Sequence, residues 1–263
     1  MYTKADLIGY LEAMGLKRTD ALLVHSSMKA IGPVEGGADT VVDAFMEYLK
    51  DGLLITPTHT WDRIGKNKRT LFDPQVEGNC VGIIPTLFSK REGVLRSLHP
   101  THSVAAWGPD AADYIRGEEK MTSPCTPGGC WDRLREVDAR ILLLGVTHNR
   151  NTFLHAVDEA LGIPDRLTQD QVPLQIRMPD GSICETRMHR HFNSTYGSGA
   201  FAEYYEKLAD AFYGLGAAKK VKFGDADCIL CEARKLFEVC KKLYAIEENC
   251  IIHRETIPES WWK

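Results

Sequence analysis

The stretch ILLLGVTHNRNTFLHAVDEA, residues 141–160, holds the histidine best placed to do chemistry. Its apolar run reads as a strand that ends at Gly145, and a polar loop then leads into a helical pattern over residues 151–161. Ligands of open α/β sheets bind outside the carboxyl ends of the strands, where this loop would lie. Asn151 or Thr152 can cap the helix, which puts His155 in its first turns with Asp158 at i+3 and Glu159 at i+4. Residues three and four apart share a helix face, so either carboxylate can accept a bond from one imidazole nitrogen. The other nitrogen is then free to act as a general base near neutral pH. The same spacing also suits a half-buried histidine satisfied by a neighbouring acid.

A second constellation is LLVHSSMKAIGPVEGGADT, where Gly36 and Gly37 precede a helical pattern and Lys29 lies nearby. Free backbone N–H groups at such a helix start make an anion site, although a Gly-Gly pair before a helix is also an ordinary turn. The pattern is neither a Walker A loop nor G-x-G-x-x-G, so no nucleoside triphosphate or dinucleotide is implied. HPTHS (99–103) and HRH (189–191) offer His99, His102, His189 and His191, the last two on one face if they lie on a strand. No H-E-x-x-H accompanies them, and no metal site is expected. CILC at 228–231 reads as a strand that sends Cys228 and Cys231 to opposite faces, and Cys125 and Cys130 flank a TPGG turn. All eight cysteines are expected as free thiols.

The elements that would position these residues alternate. Helix 4–16, strand ALLVHSS, helix ADTVVDAFMEYLK and strand GLLITPT open the chain, with Pro57 stopping the second strand. A loop-like stretch 59–80 precedes a helix with Pro85 in its first turn. Short strands flank HPTH. Helices near 109–117 and 130–136 lead to strand ARILLLG and the helix ending at Gly162. Beyond it, residues 165–197 alternate around a PDG turn as an antiparallel hairpin. A helix at 200–215, a short hairpin at 217–231 and a last helix at 232–245 complete the chain. The expected fold is an α/β, three-layer α/β/α sandwich with a mixed, partly parallel sheet and extra hairpins in the C-terminal third, all one domain spanning 1–263.

With 263 residues, 44% of them hydrophobic, the chain can bury a large core. A formal net charge of −4 gives no basic face for nucleic acid. The N-terminus lacks the basic and apolar regions of a signal peptide, and no apolar run is long enough to span a membrane. A cytoplasmic protein is expected. The sequence leaves the assembly state open, a homodimer included.

The blocks LLVHSSMKAIGPVEGGADTVVDAF, GLLITPTHTWD, FDP, HPTHSVAAWGPDA, SPCTPGGCWDRL and ARILLLGVTHNRNTFLHAVDE, in this order, resemble the aminoglycoside 3-N-acetyltransferase family. The resemblance is strongest over residues 20–165. It implies an acetyl-coenzyme A-dependent N-acetyltransferase with a fold distinct from the GNAT fold, needing no metal. His155 would be the base for direct attack by the acceptor amine. The family's N-T-x-x-H-x-x-E pattern maps onto Asn151, Thr152 and His155, with Asp158 where the family has glutamate, so Asp158 or Glu159 would orient the ring. Thr58 and Thr147 are alternative donors to the oxyanion. His25, Ser26, Ser27, Lys29, Gly36 and Gly37 would hold coenzyme A, with His99 and Ser103 lining the same cleft. Asp73, His102 and His191 fall to the amine substrate, with residues 165–231 shaping its side of the pocket. The competing readings are the same transfer to a different amine, coenzyme A binding without transfer, and a metal hydrolase using His99, His102, His189 and His191.

Overall fold

The computed structural model describes residues 1–263. Helix α1 (Lys4–Ala13) opens with a capping box: Asp6 N–H donates to Thr3 Oγ1 at 3.2 Å, and Thr3 N–H donates to Asp6 Oδ2 at 2.8 Å. Strand β1 (Ala21–Ser26), helix α2 (Ala38–Tyr48) and strand β2 (Leu53–Pro57) follow, as their apolar runs and amphipathic spacing require. The polar stretch after β2 contains only the two-residue β3 (Leu71–Phe72). Next come α3 (Ile83–Phe88), β4 (Leu95–Arg96), β5 (Val104–Trp107), α4 (Ala111–Tyr114), α5 (Cys130–Arg133), β6 (Arg140–Leu144) and α6 (Phe153–Ala160). The expected helices at 109–117 and 130–136 are thus single turns. The first is cut short by Gly117 in the left-handed region, the second by the turn through Asp138 before β6.

The hairpin read around the PDG turn is β7 (Val172–Arg177) and β8 (Ile183–Met188). The segment 200–215 departs from its expected helix: Ala200–Leu208 winds as 3-10 helix before α7 (Ala209–Gly214). Strands β9 (Ala218–Phe223) and β10 (Ala226–Glu232) precede α8 (Ala233–Ile246), and a short α9 (Cys250–His253) lies beyond the helix expected to be last.

A seven-stranded mixed sheet runs β4-β5-β2-β1-β6-β10-β9. Its centre is parallel, β2-β1-β6, and the outer strands are antiparallel to their neighbours. The hairpin at 217–231 therefore belongs to the main sheet, where β10 pairs along β6, and not to an acceptor-side addition. Strands β3, β7 and β8 form a separate three-stranded sheet.

Alternation along the strands divides the core. Leu23, Ile55, Ile141 and Leu143 face one layer with α4 to α8, while Leu22, Val24, Leu142 and Leu144 face α1, α2 and α3. Cys228 and Cys231 obey the same rule, one in each layer, which excludes them as a metal pair. All eight cysteines are free thiols. Truncating a central side chain such as Leu143, which is fully buried, is worth about 2–5 kcal/mol. No helix is long and apolar enough to cross a membrane.

Candidate active site

The carboxyl ends of β1, β2 and β6 lie side by side, because β1 pairs in parallel with both neighbours. At Gly145 the chain turns off β6 with φ 66°, and a Cβ there would stand 2.3 Å from the Ala30 Cβ, so only glycine fits. The following loop carries the chain into α6, which ends at Gly162, also left-handed, where Ile163 N–H donates back to the Asp158 carbonyl at 2.9 Å. A cleft of about 1070 Å³ opens over these strand ends, with His25, Ser26, His59, His102, His155 and His191 on its wall.

His155 is buried. Neither Asp158 nor Glu159 bonds its ring directly, which corrects the direct pairing expected from helical spacing. The hydroxyl of Tyr205 intervenes: it lies 3.0 Å from His155 Nδ1 and donates to Asp158 Oδ2 at 2.7 Å. Asp158 Oδ2 also accepts from Arg166 Nε at 2.6 Å, in an ion pair whose side chains are only 1% and 2% exposed. Burial raises the Asp158 carboxyl and the guanidinium opposes that rise. Burial works against the Arg166 charge too, but Asp158 holds its pKa up. Beside an arginine that stays protonated, Asp158 is the carboxylate and can only accept hydrogen bonds.

The tautomer of His155 follows. The single Tyr205 proton goes to Asp158, so the Tyr205 oxygen accepts from Nδ1–H and the lone pair of the imidazole sits on Nε2. Burial, and then the nearby His191 and Arg166, push the His155 pKa well below its usual value, so the ring is neutral and able to take a proton.

Glu159, one residue on, faces different partners. Its Oε1 accepts from Cys125 N–H at 2.9 Å and lies 3.2 Å from His191 Nε2, and its Oε2 accepts from the Ser123 hydroxyl. The His191 ring stacks on that of His155, centroids 4.0 Å apart and planes 17° apart. The Cys125 sulfur, a Glu159 oxygen and a His191 nitrogen lie within 4.8 Å of one another.

The other expected residues separate into two groups. His25, Ser26, His102 and His191 line the cleft with His155. His25 Nε2 and Ser26 Oγ are buried and without hydrogen-bond partners, and burial lowers the His25 pKa to about 3. The remaining residues do not line it. Thr58 Oγ1 and Ser103 Oγ bond each other at 2.9 Å inside the protein. His99 Nδ1 accepts from the N–H groups of Thr101 and His102, and its Nε2 donates to the Ser123 carbonyl at 3.0 Å, so His99 pins a loop. Asp73 pairs with Arg177 at 3.0 Å. Ser27 is half-buried, Lys29 is exposed on the 3-10 turn after β1, and Gly36 and Gly37 begin α2. Thr147 is exposed and its hydroxyl donates to Asn149 Oδ1. His189 does line the cleft, but its Nδ1 is 2.8 Å from the Thr168 carbonyl and its Nε2 is 3.2 Å from the Gln171 amide, so both its nitrogens are engaged and the four histidines of the hydrolase reading do not form one ligand set.

Sequence reasoning missed three polar groups. Tyr205 and Arg166 complete the chain to His155 from segments without a motif. His59 lies in PTHT, a block already singled out, and its Nε2 is 3.2 Å from the Thr152 hydroxyl. That contact occupies the hydroxyl expected to cap α6, whose first turn has no side-chain cap.

The fold has clear counterparts. An Aminoglycoside N(3)-acetyltransferase III of Salmonella sp is 28% identical over 258 residues, covering 90% of this chain and 89% of that protein. The structure of a histidine-to-alanine variant of aminoglycoside acetyltransferase AAC(3)-IVa, in complex with a gentamicin, superposes with a TM-score of 0.81. It is 24% identical and covers 100% of this chain and 94% of that one. AAC-IIIb in a binary complex with CoASH superposes with a TM-score of 0.78 at 22% identity, covering 90% and 94%. The family model described as Aminoglycoside 3-N-acetyltransferase matches residues 23–245, so this chain, with its histidine at the end of the parallel strands, belongs to that family of acyltransferases.

Proposed function

We propose that this chain transfers the acetyl group of acetyl-coenzyme A to an amine, with His155 Nε2 as general base, and that the acceptor is the 3-amino group of an aminoglycoside, as in the named relatives. The observation that carries the reading is the buried series Arg166–Asp158–Tyr205–His155, ending in an unprotonated nitrogen at a cleft large enough for two substrates. The polar atoms available there fit the cosubstrate. His25 Nε2 and His59 Nδ1 are buried, lack partners and belong to cleft-lining residues, suiting the amide groups of a pantetheine arm. At the start of α2 the Gly37 N–H is already donated to the Val34 carbonyl at 3.0 Å, and an added Cβ there would meet nothing within 4 Å, so there is room for an anion beside the N–H groups that follow it.

Acetyl-coenzyme A supplies a thioester carbonyl. His155 Nε2 takes the proton from the attacking amine as the new C–N bond forms; the C–S bond then breaks, and the departing thiolate takes up the proton that the imidazolium gives back. Tyr205 and Asp158 keep the imidazolium oriented and stabilised while it carries that proton. Ser26 Oγ replaces Thr58 and Thr147 as our choice of oxyanion donor, since Ser26 lines the cleft and they do not. The chain acts as one unit in the cytoplasm, with Val172, Leu174, Met188 and Arg190 on the acceptor side of the cleft.

A second reading, transfer to an amine that is not an aminoglycoside, is favoured by one observation. The cleft lining includes Lys66, Lys68, Arg150 and Arg190 but no aspartate or glutamate, and a polycation gains little from such a wall. Thiol release from acetyl-coenzyme A with a panel of aminoglycosides and simpler amines tests both. Release with 3-amino aminoglycosides supports the first reading, and release with other amines alone supports the second. His155→Ala should lower kcat about 10²–10⁴-fold, the usual worth of a general base. An unchanged kcat would overturn the role given to His155.

A further inference from the structure

We propose that Cys125, Glu159 and His191 form a binding site for a zinc-class divalent cation on the wall of the cleft, with the fourth coordination position open to it. The Glu159 side chain is only 2% exposed, yet no lysine or arginine pairs with it. A buried carboxylate needs a compensating positive charge, and the ring nitrogen nearest to it is His191 Nε2, 3.2 Å away.

The donor set fits a borderline cation. One thiol, one imidazole nitrogen and one carboxylate oxygen are the ligand types that zinc takes, and three protein ligands with an open fourth position are usual where it binds substrate or water. The atoms lie within 4.8 Å of one another. Tetrahedral closure at ordinary bond lengths brings such ligands to about 3.3–3.7 Å apart, and the nitrogen–oxygen pair is already at 3.2 Å. The thiol therefore needs a shift of roughly 1 Å, and it is free to make one: its sole polar contact is a long one, 3.9 Å, to the Thr152 carbonyl. His191, Pro124 and Thr152 line the cleft, so the ion has an entry path. Loading releases the Cys125 thiol proton to solvent and moves the His191 proton from Nε2, which binds the ion, to Nδ1. Thiolate and carboxylate then neutralise the dication.

The test is metal binding by the full-length, reduced protein, read without any acetyl-transfer assay. Dialysis against Zn2+ followed by elemental analysis should give about one equivalent per chain. Co2+ should give visible d–d bands of tetrahedral intensity and a near-ultraviolet thiolate-to-cobalt band. Cys125→Ser should abolish the thiolate band and weaken zinc at least tenfold, and the control Cys184→Ser should keep both. If Cys125→Ser does not fold, His191→Asn takes its place, with loss of tetrahedral intensity as the expected result. No stoichiometric metal in the wild type, or a thiolate band that survives Cys125→Ser, overturns the proposal and leaves Glu159–His191 as a plain hydrogen-bonded pair. Either outcome is independent of whether the protein acetylates an amine.

Discussion

Asp158 and Glu159 are consecutive on α6, and both carboxylates are withdrawn from water, but they sit in different electrostatic worlds. Neighbours on a helix diverge by about 100°, so each meets its own set of partners. Asp158 meets Arg166 and Tyr205, a cation that never titrates and a hydroxyl with one proton to give. Glu159 meets Ser123, the Cys125 backbone and His191, and no lysine or arginine pairs with it. A fixed ion pair thus stands behind the His155 ring, and a carboxylate with no arginine or lysine stands beside it. Tyr205 spans the gap between Asp158 and His155.

The largest stability effect should come from the fixed side. Arg166→Met leaves Asp158 buried without its counter-ion and should cost about 3–5 kcal/mol in urea unfolding; a loss under about 1 kcal/mol would mean that Asp158 is not held as an anion. Tyr205→Phe should cost about 1–3 kcal/mol and lower kcat roughly tenfold, because Nδ1–H loses its acceptor. If kcat stays at the wild-type level, the stack with His191 alone orients the ring.

Acid titration comes next. Burial lowers the pKa values of His25, His59, His99, His102, His148 and His155, to about 3 for His25 and about 4 for His148. The unfolded chain takes up protons below about pH 6.5 that the folded protein refuses, so this stability is complete above that pH. It falls as the pH drops through the folded values, by at most about 1.4 kcal/mol per pH unit for each group. Urea midpoints from pH 8 to 4 should therefore stay level and then decline. By the same sign, activity governed by His155 should be flat through neutrality and fall only in acid. The smallest effect is expected from Glu159→Gln, about 1 kcal/mol or less, because no permanent ion pair is broken. A loss matching that of Arg166→Met would erase the distinction between the two carboxylates.

Much of this arrangement is legible in the residues. The runs ALLVHS, LLITP and RILLL are contiguous and apolar because their strands are covered on both faces, and Gly145 and Gly162 mark turns that other residues resist. The six ordered blocks identify the family, and the block around His155 points to the base we propose. Tyr205 could not be read because it stands fifty residues beyond its partner in sequence and lies within 3-10 helix, without a motif. Asp73 looked free to meet a cation, but a residue in another strand, Arg177, takes it. The placement of β9 and β10 was equally hidden, since their alternation gives a hairpin but does not name the strand it joins.

That join has a consequence for biosynthesis. Strand β6 carries the apolar run that delivers the chain to His155, and its second edge is covered only when Ala226–Glu232 pairs along it. While a ribosome is still making the intervening hairpin and helices, Arg140–Leu144 offers unpaired N–H and C=O groups on a hydrophobic strand, a template for wrong partners. The nascent protein thus carries an aggregation hazard next to the loop that leads to His155, and a chaperone that shields this edge acts in that interval.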